Sequence, residues 1–229
     1  MMSRFARFAF AGVLLFTLAQ PALADMVLDK VILDFTPDAP ARDDIEVWNS
    51  GTERLYVMVE PHEVIAPGQA NEHRISDPDP AKLGLLVTPQ RLIIEPGERR
   101  LVRIAAIVPR GARDRIYRVT IKPVVGDVSA AQTAIKVMVG YDTLVIYRPA
   151  AALGTVSATR TAKTIAFTND GNSNVEMYQG RQCDAAGKDC RDLPARRLYA
   201  GARWEQPLDR DTPVEYRVAT GRTSVVKQF

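Results

Sequence analysis

Short runs that alternate apolar and polar residues recur along the chain from Met26 onward, and almost nothing there has helical periodicity. The runs are "MVLDKVILDF", "DIEVWN", "RLYVMVEPHEV", "LGLLVTP", "RLVRIAAIV" and "RIYRVTIKPV", followed by a stretch ending in "LVIYRP". Turn-forming pieces separate them: "TPDAPARD", "NSGTE", "APGQANE", "SDPDP", "EPGE" and "PRGARD". About seven short strands in roughly 125 residues, with turns between, is the pattern of an immunoglobulin-like β-sandwich. Alternation places Val31 and Leu33, Ile45 and Val47, Val57 and Val59, and Val102 and Ile104 in its core.

"YRPAAALGTVSATR" interrupts the pattern with Pro149 and small residues, as a connector between domains does. A second all-β segment follows, in "KTIAFTN", "NVEMYQGRQC", "RRLYAG", "RWEQPL", "VEYRVA" and "TSVVKQF". The expected organisation is an N-terminal immunoglobulin-like domain over 25–149 and a smaller β-sandwich over 150–229. The halves show no obvious sequence repeat, and no segment is of low complexity. Cys183 and Cys190 are the only cysteines. Their spacing and an oxidising compartment favour a disulfide over a redox pair, which usually reads Cys-x-x-Cys. Closing a loop of about eight residues stabilises by roughly 2.5 kcal/mol.

Residues 1–24 have the three parts of a secretory signal peptide. Arg4 and Arg7 give a basic start, Phe8 to Ala19 is mostly apolar, and Ala22-Leu23-Ala24 is a small-x-small cleavage signal. Without that segment the lysines and arginines nearly balance the acids, leaving about +1. A near-neutral chain lacks the basic field that a nucleic-acid partner requires. No other apolar run approaches the roughly 18 residues of a membrane helix, so no stable membrane insertion is expected.

One stretch is too long for its domain. Ile135, Val137 and Val139 alternate with Lys136, Met138 and Gly140, and the pattern resumes after Gly140 as far as Arg148. Typical strands have about 5–6 residues. A single strand over Ile135–Arg148 would reach about 48 Å at roughly 3.4 Å per residue. Alternation alone leaves open whether its first half faces its own core or is offered elsewhere.

Constellations for catalysis are sparse. His62 and His73 are the only histidines. On a strand, Glu60 and His62 share a face that Glu63 does not, so the three do not converge on a metal. No nucleophile elbow, phosphate loop or paired-cysteine metal motif is present. Asp77 and Asp79 read as a proline-ordered loop, and Trp48 and Trp204 as core aromatics. The expectation is therefore a non-enzyme without metal or cofactor.

The segment "LLVTPQRLIIEPGERRLVRI", physically a hairpin with a Pro-Gly turn, resembles the first domain of the periplasmic pilus chaperones of the PapD-like family. "RDRIYRVTIKPV" is similar to that domain's penultimate strand and "LVIYRPAA" to its last. "RLYAGARWEQPL" stands at a characteristic turn of the second domain. The resemblance covers nearly all of the chain after residue 24. It implies two immunoglobulin-like domains in a boomerang and a periplasmic chaperone without ATP or cofactor. Such chaperones lend the last strand of domain one to pilus or surface-fibre subunits and hand these to an outer-membrane usher. The implied donor residues are Ile135, Val137 and Val139. Arg103, Asp114 and Arg148 match an interdomain charge network. The resemblance also implies a basic pair that clamps the subunit's C-terminal carboxylate, but Ile32 and Leu144 stand at those positions, leaving Lys30 as a weak substitute. Arg118 stands where an aromatic is expected. An exposed donor edge carries the expectation of self-association in the free protein. The alternative is a secreted structural or adhesive sandwich of the fibre itself.

Overall fold

The computed structural model describes residues 26–124 and 138–229. Eleven elements come first along the chain. They are β1 (Met26–Leu28), β2 (Ile32–Phe35), β3 (Arg42–Asn49), β4 (Leu55–Ile65), β5 (His73–Ile75), the single-turn helix α1 (Pro80–Leu83), β6 (Leu85–Thr88), β7 (Arg91–Ile94), β8 (Arg99–Ala106), β9 (Arg115–Val124) and β10 (Tyr141–Tyr147). They build two sheets, β1-β3-β8-β6 and β2-β10-β9-β4-β5, with β7 also paired to β4. Between the sheets lie Ile45, Val47, Val102 and Ile104 from one and Val57, Val59, Val119, Ile121 and Val145 from the other. Burying such side chains contributes roughly 1.5–3 kcal/mol each.

The run "MVLDKVILDF", expected as one strand, is two. β1 pairs antiparallel with β3, and β2 pairs parallel with β10 in the opposite sheet. The chain crosses between sheets at Asp29–Val31, where the Asp29 carboxylate accepts the Glu46 amide at 2.8 Å. Crossing resets the alternation, so Val31, expected in the core, is 47% exposed while Leu33 is fully covered. The other expected core positions are buried. A second crossing, from β6 to β7, passes through the cis Thr88–Pro89 bond.

The long alternating stretch is also divided. β10 begins at Tyr141, and residues 138–140 precede it without strand pairing, so one strand over Ile135–Arg148 is not what forms. Gly140 still lies close to β9: a Cβ there would come 3.0 Å from that of Lys122. Ile135 and Val137 lie outside the described residues.

The second set of strands is β11 (Val156–Arg160), β12 (Thr164–Asn169), β13 (Val175–Cys183), β14 (Cys190–Leu193), β15 (Arg196–Leu198), β16 (Arg203–Pro207), β17 (Val214–Thr220) and β18 (Thr223–Gln228). The sheets are β11-β12-β16 and β14-β13-β17-β18, with β15 paired to β13. The core is built around Phe167, whose ring lies 5.1–5.4 Å from those of Phe229, Trp204 and Tyr216. The Cys183–Cys190 disulfide joins register partners of β13 and β14.

The sandwiches share a device that the sequence comparison of the halves did not reveal. Asn49 ends β3 and Asn169 ends β12, both fully buried. Each side-chain amide donates to two carbonyls, Asn49 to Glu53 and Ile94, and Asn169 to Ser173 and Leu198, at 2.8–2.9 Å. Each side-chain oxygen accepts the amide of a glycine two residues on, Gly51 or Gly171. Each backbone carbonyl accepts from a glycine in the left-handed region, Gly97 or Gly201. The repeat is thus "NSG…PG" against "NDG…AG". Truncation strands buried backbone acceptors, at about 1–3 kcal/mol per group. Asn49→Ala and Asn169→Ala should each cost about 2–4 kcal/mol in urea denaturation; a loss below 1 kcal/mol would show that the bonds are replaceable.

Candidate functional site

Register partners in a sheet project to the same side, so the ladder gives the outer face of β2-β10-β9-β4-β5 row by row. The central row is Ile32, Leu144, Arg118 and His62. Towards the second sandwich lies the row Asp34, Ile146, Ile116 and Val64, and away from it Asp142, Thr120 and Glu60. Ile32 and Leu144 are direct partners, at 48% and 5% exposure. The two positions expected to be basic do stand side by side, but they are apolar. Lys30 does not replace them. It sits on the crossing between sheets, where Asp43 on β3 and Asp29 hold its ammonium at 3.2 and 3.5 Å.

The second sandwich closes over the inner end of this face. Val64, Ile116, Leu144 and Ile146 form an apolar cluster against which Tyr199 packs. Burial pushes the Tyr199 phenol up from its ordinary pKa. The β4–β5 hairpin reaches the same place: a Cβ on Gly68 would come 3.2 Å from the Tyr199 ring. That close approach and a φ of +74° explain why glycine stands there.

A polar hinge flanks the apolar contact. Arg148, 2% exposed, donates to both oxygens of Asp34 at 2.7 and 2.8 Å, to Ser173 Oγ at 2.5 Å and to the Asn174 carbonyl at 3.1 Å. Asp114 Oδ2 accepts both the backbone and side-chain amides of Asn174, at 2.5 and 2.6 Å. Arg197 donates to Asn174 Oδ1 at 2.8 Å. Burial pushes the Asp114 carboxyl above the usual range, against those bonds and the Arg148 charge. Arg103 is elsewhere: it projects from the outer face of the other sheet and grips Asp44 with two bonds of 2.8 Å. The alternation that buries Val102 and Ile104 turns Arg103 outward, away from the hinge.

β10 has an incomplete edge. β9 pairs with it along Tyr141–Tyr147, but β2 covers only Leu144–Tyr147. Tyr141, Asp142 and Thr143 have no strand on that side among the described residues, and Val139 just before them is 54% exposed. This end of the strand is held from within: Tyr141 donates to the Met26 carbonyl at 3.0 Å and Thr143 to the Val119 carbonyl at 2.8 Å.

Beyond the apolar end, charge collects at Asp142. Arg74 reaches from β5 across β4 and β9 and donates to both its oxygens, at 3.1 and 2.6 Å. Thr120 donates to Oδ1 at 3.1 Å. Arg118 donates to the Asp142 backbone carbonyl at 3.2 Å and stands 3.8 Å from the carboxylate. Burial raises the Asp142 carboxyl, but the bonds from Arg74 and Thr120 and the cations outweigh it and hold the group below the usual range. Beside Arg118, His62 Nδ1 is buried without a hydrogen-bond partner among the described residues.

No protein-family model matches the sequence, and no curated protein matches it significantly. Solved structures do match. The class 5 fimbriae chaperone CfaA superposes with a TM-score of 0.67 at 17% identity, over 89% of this chain and 98% of that one. A chaperone–tip adhesin complex described for CFA/I fimbriae biogenesis gives 0.65 at 18% identity, over 90% and 98%. The CsuC–CsuE chaperone–tip adhesion subunit pre-assembly complex from the archaic chaperone-usher Csu pili of Acinetobacter baumannii gives 0.61 at 10% identity, over 90% and 98%. The fold is that of the fimbrial chaperones.

In this chaperone fold the hinge gathers Asp114 and Arg148 on the 172–174 loop and leaves Arg103 out. Asp34 and Asn174, which the sequence reading missed, complete it. Asp34 was open to discovery, since it shares strand parity with Ile32. Among the described residues no three His, Cys, Asp or Glu side chains are grouped to hold a metal. No helix there is long and apolar enough to cross a membrane.

The hinge predicts a pH dependence. A carboxyl whose folded pKa is raised disfavours the fold while ionised, and that penalty is relieved as pH falls through the folded value. Asp114→Asn removes the ionisation and keeps an oxygen for Asn174. The variant should be at least as stable as the parent at pH 7, and the difference should shrink on acidification towards pH 4. A difference that grows with acidification in urea denaturation would reverse the assignment.

Proposed function

We infer that the protein is a periplasmic chaperone that binds pilus or surface-fibre subunits by donor-strand complementation and delivers them to an outer-membrane usher. The observation that carries this is the half-open edge of β10, with exposed Val139 where the edge becomes free. β-strand addition uses such an edge: backbone bonds supply affinity, and alternate side chains enter pockets of the partner. Ile135, Val137 and Val139 are the proposed donors. Two neighbours of the same fold, described above, are complexes of a chaperone with a tip subunit, which supports the partner class.

The subunit's terminal carboxylate needs a cation, since burial against Ile32 and Leu144 alone would cost several kcal/mol. Arg118 is the adjacent residue of the same row, and we assign it the anchoring role. The apolar contact at Tyr199 and the hinge at Arg148 hold the second sandwich against the inner end of this face. A client therefore meets a fixed surface and requires neither ATP nor cofactor.

Co-expression with a small secreted β-protein encoded beside this chain should yield a one-to-one complex. Val139→Asp should abolish it with the fold intact. Arg118→Ala should weaken it about 10–100-fold, the worth of a charge-assisted bond. A complex indifferent to Val139→Asp would refute strand donation. Recovery of the chain from sheared fibres rather than the periplasm would instead make it a structural component.

A further inference from the structure

The geometry points to a carboxylate-binding site formed by Arg74 and Arg118 that the free protein occupies with its own Asp142, a clasp that an incoming carboxylate must open. Asp142 lies two residues before Leu144 on the same strand face. Arg74 crosses two strands to reach it, and Arg118 touches its backbone while its guanidinium stands 3.8 Å from the carboxylate. Two guanidinium groups thus share one carboxylate. The other charges near them do not change this balance. Glu60 is taken by Lys122 at 2.8 Å, and Glu72 accepts the Gly68 amide at 2.5 Å. Tyr199, a phenol whose pKa burial raises, shares a hydrogen bond with Arg118 and adds no charge.

The Arg74–Asp142 pair is partly exposed, at 44% and 39%, and three features mark it as a site. Arg74 spans the face from β5 to β10, and a surface arginine rarely gives up that much side-chain freedom for a pair worth under about 1 kcal/mol. Arg118 has two neutral acceptors, the Asp142 carbonyl and the Tyr199 phenol, and its nearest carboxylate is 3.8 Å away, so its five-donor fork still has unused donors. His62 Nδ1, its register partner's ring nitrogen, is buried and unpartnered among the described residues. A carboxylate placed on Arg118 uses the donors that its fork leaves free. Asp142 then holds both arginines in position before a client arrives and competes with it afterwards. Release of a client is aided by the return of Asp142.

The site's existence is independent of the chaperone reading, which it needs only for the source of the carboxylate, the client's C-terminus. Acetate serves as the probe, with the arginine Nε–Hε resonances of the full chain followed by NMR. In Asp142→Asn, acetate should shift Arg74 and Arg118 saturably, at about one-tenth the concentration that the parent requires. Adding Arg118→Gln should remove the response, and Asp142→Ser should reproduce it if the asparagine variant folds poorly. Equal acetate dependence in parent and Asp142→Asn, or no arginine response in either replacement, overturns the clasp. In the co-expression assay Asp142→Asn should hold a client more tightly; equal or weaker retention, with the acetate response intact, would show that the client's carboxylate goes elsewhere.

Discussion

β10 is laddered along its full length on one side and along only half on the other. Nearly everything else on this face follows from that asymmetry. β2 can cover only Leu144–Tyr147 because the chain changes sheets at Asp29–Val31 and enters the second sheet at Ile32. Had "MVLDKVILDF" stayed in one strand, it would have followed β10 further and closed the edge. An unpaired edge ending in exposed Val139 is a liability unless another chain completes it. Such completion is the activity proposed above.

The same register sets what the free edge is joined to. Alternation sends Tyr141, Thr143 and Val145 into the first sandwich and Asp142, Leu144 and Ile146 onto its outer face. The second sandwich covers Leu144 and Ile146 through Tyr199, so the apolar inner end of the face is spent on joining domains. The polar outer end, with Arg118, Arg74 and Asp142, is left open. Arg148 follows β10 directly and links Asp34 with the 172–174 loop. One strand therefore carries the free edge, the apolar interdomain contact, the charged cluster and the hinge.

Much of the fold was legible because strands alternate and turns are marked by Pro and Gly. Core positions such as Ile45, Val47, Val102 and Ile104 follow from period two alone. Val31 was misplaced because a sheet crossing leaves no compositional mark when both flanking segments alternate. Lys30 failed for the same reason, being taken as part of an unbroken strand. Arg103 was assigned by resemblance to a network that its own parity excludes. Arg118 was read as a missing aromatic, and only cross-strand register, which a single sequence does not contain, sets it beside Leu144. The twin roles of Asn49 and Asn169 were hidden for a similar reason: two short motifs repeat while the strands between them share only a pattern.

Hydrogen exchange of the backbone amides of residues 138–143, compared in the free protein and in a client complex, tests the central claim most directly. Strand addition at the half-open edge should give these amides protection on complex formation, alternating with the new ladder, while β2 and β9 change little. Unchanged exchange at 138–143 in a stable complex, with new protection on another edge such as β18, would contradict it.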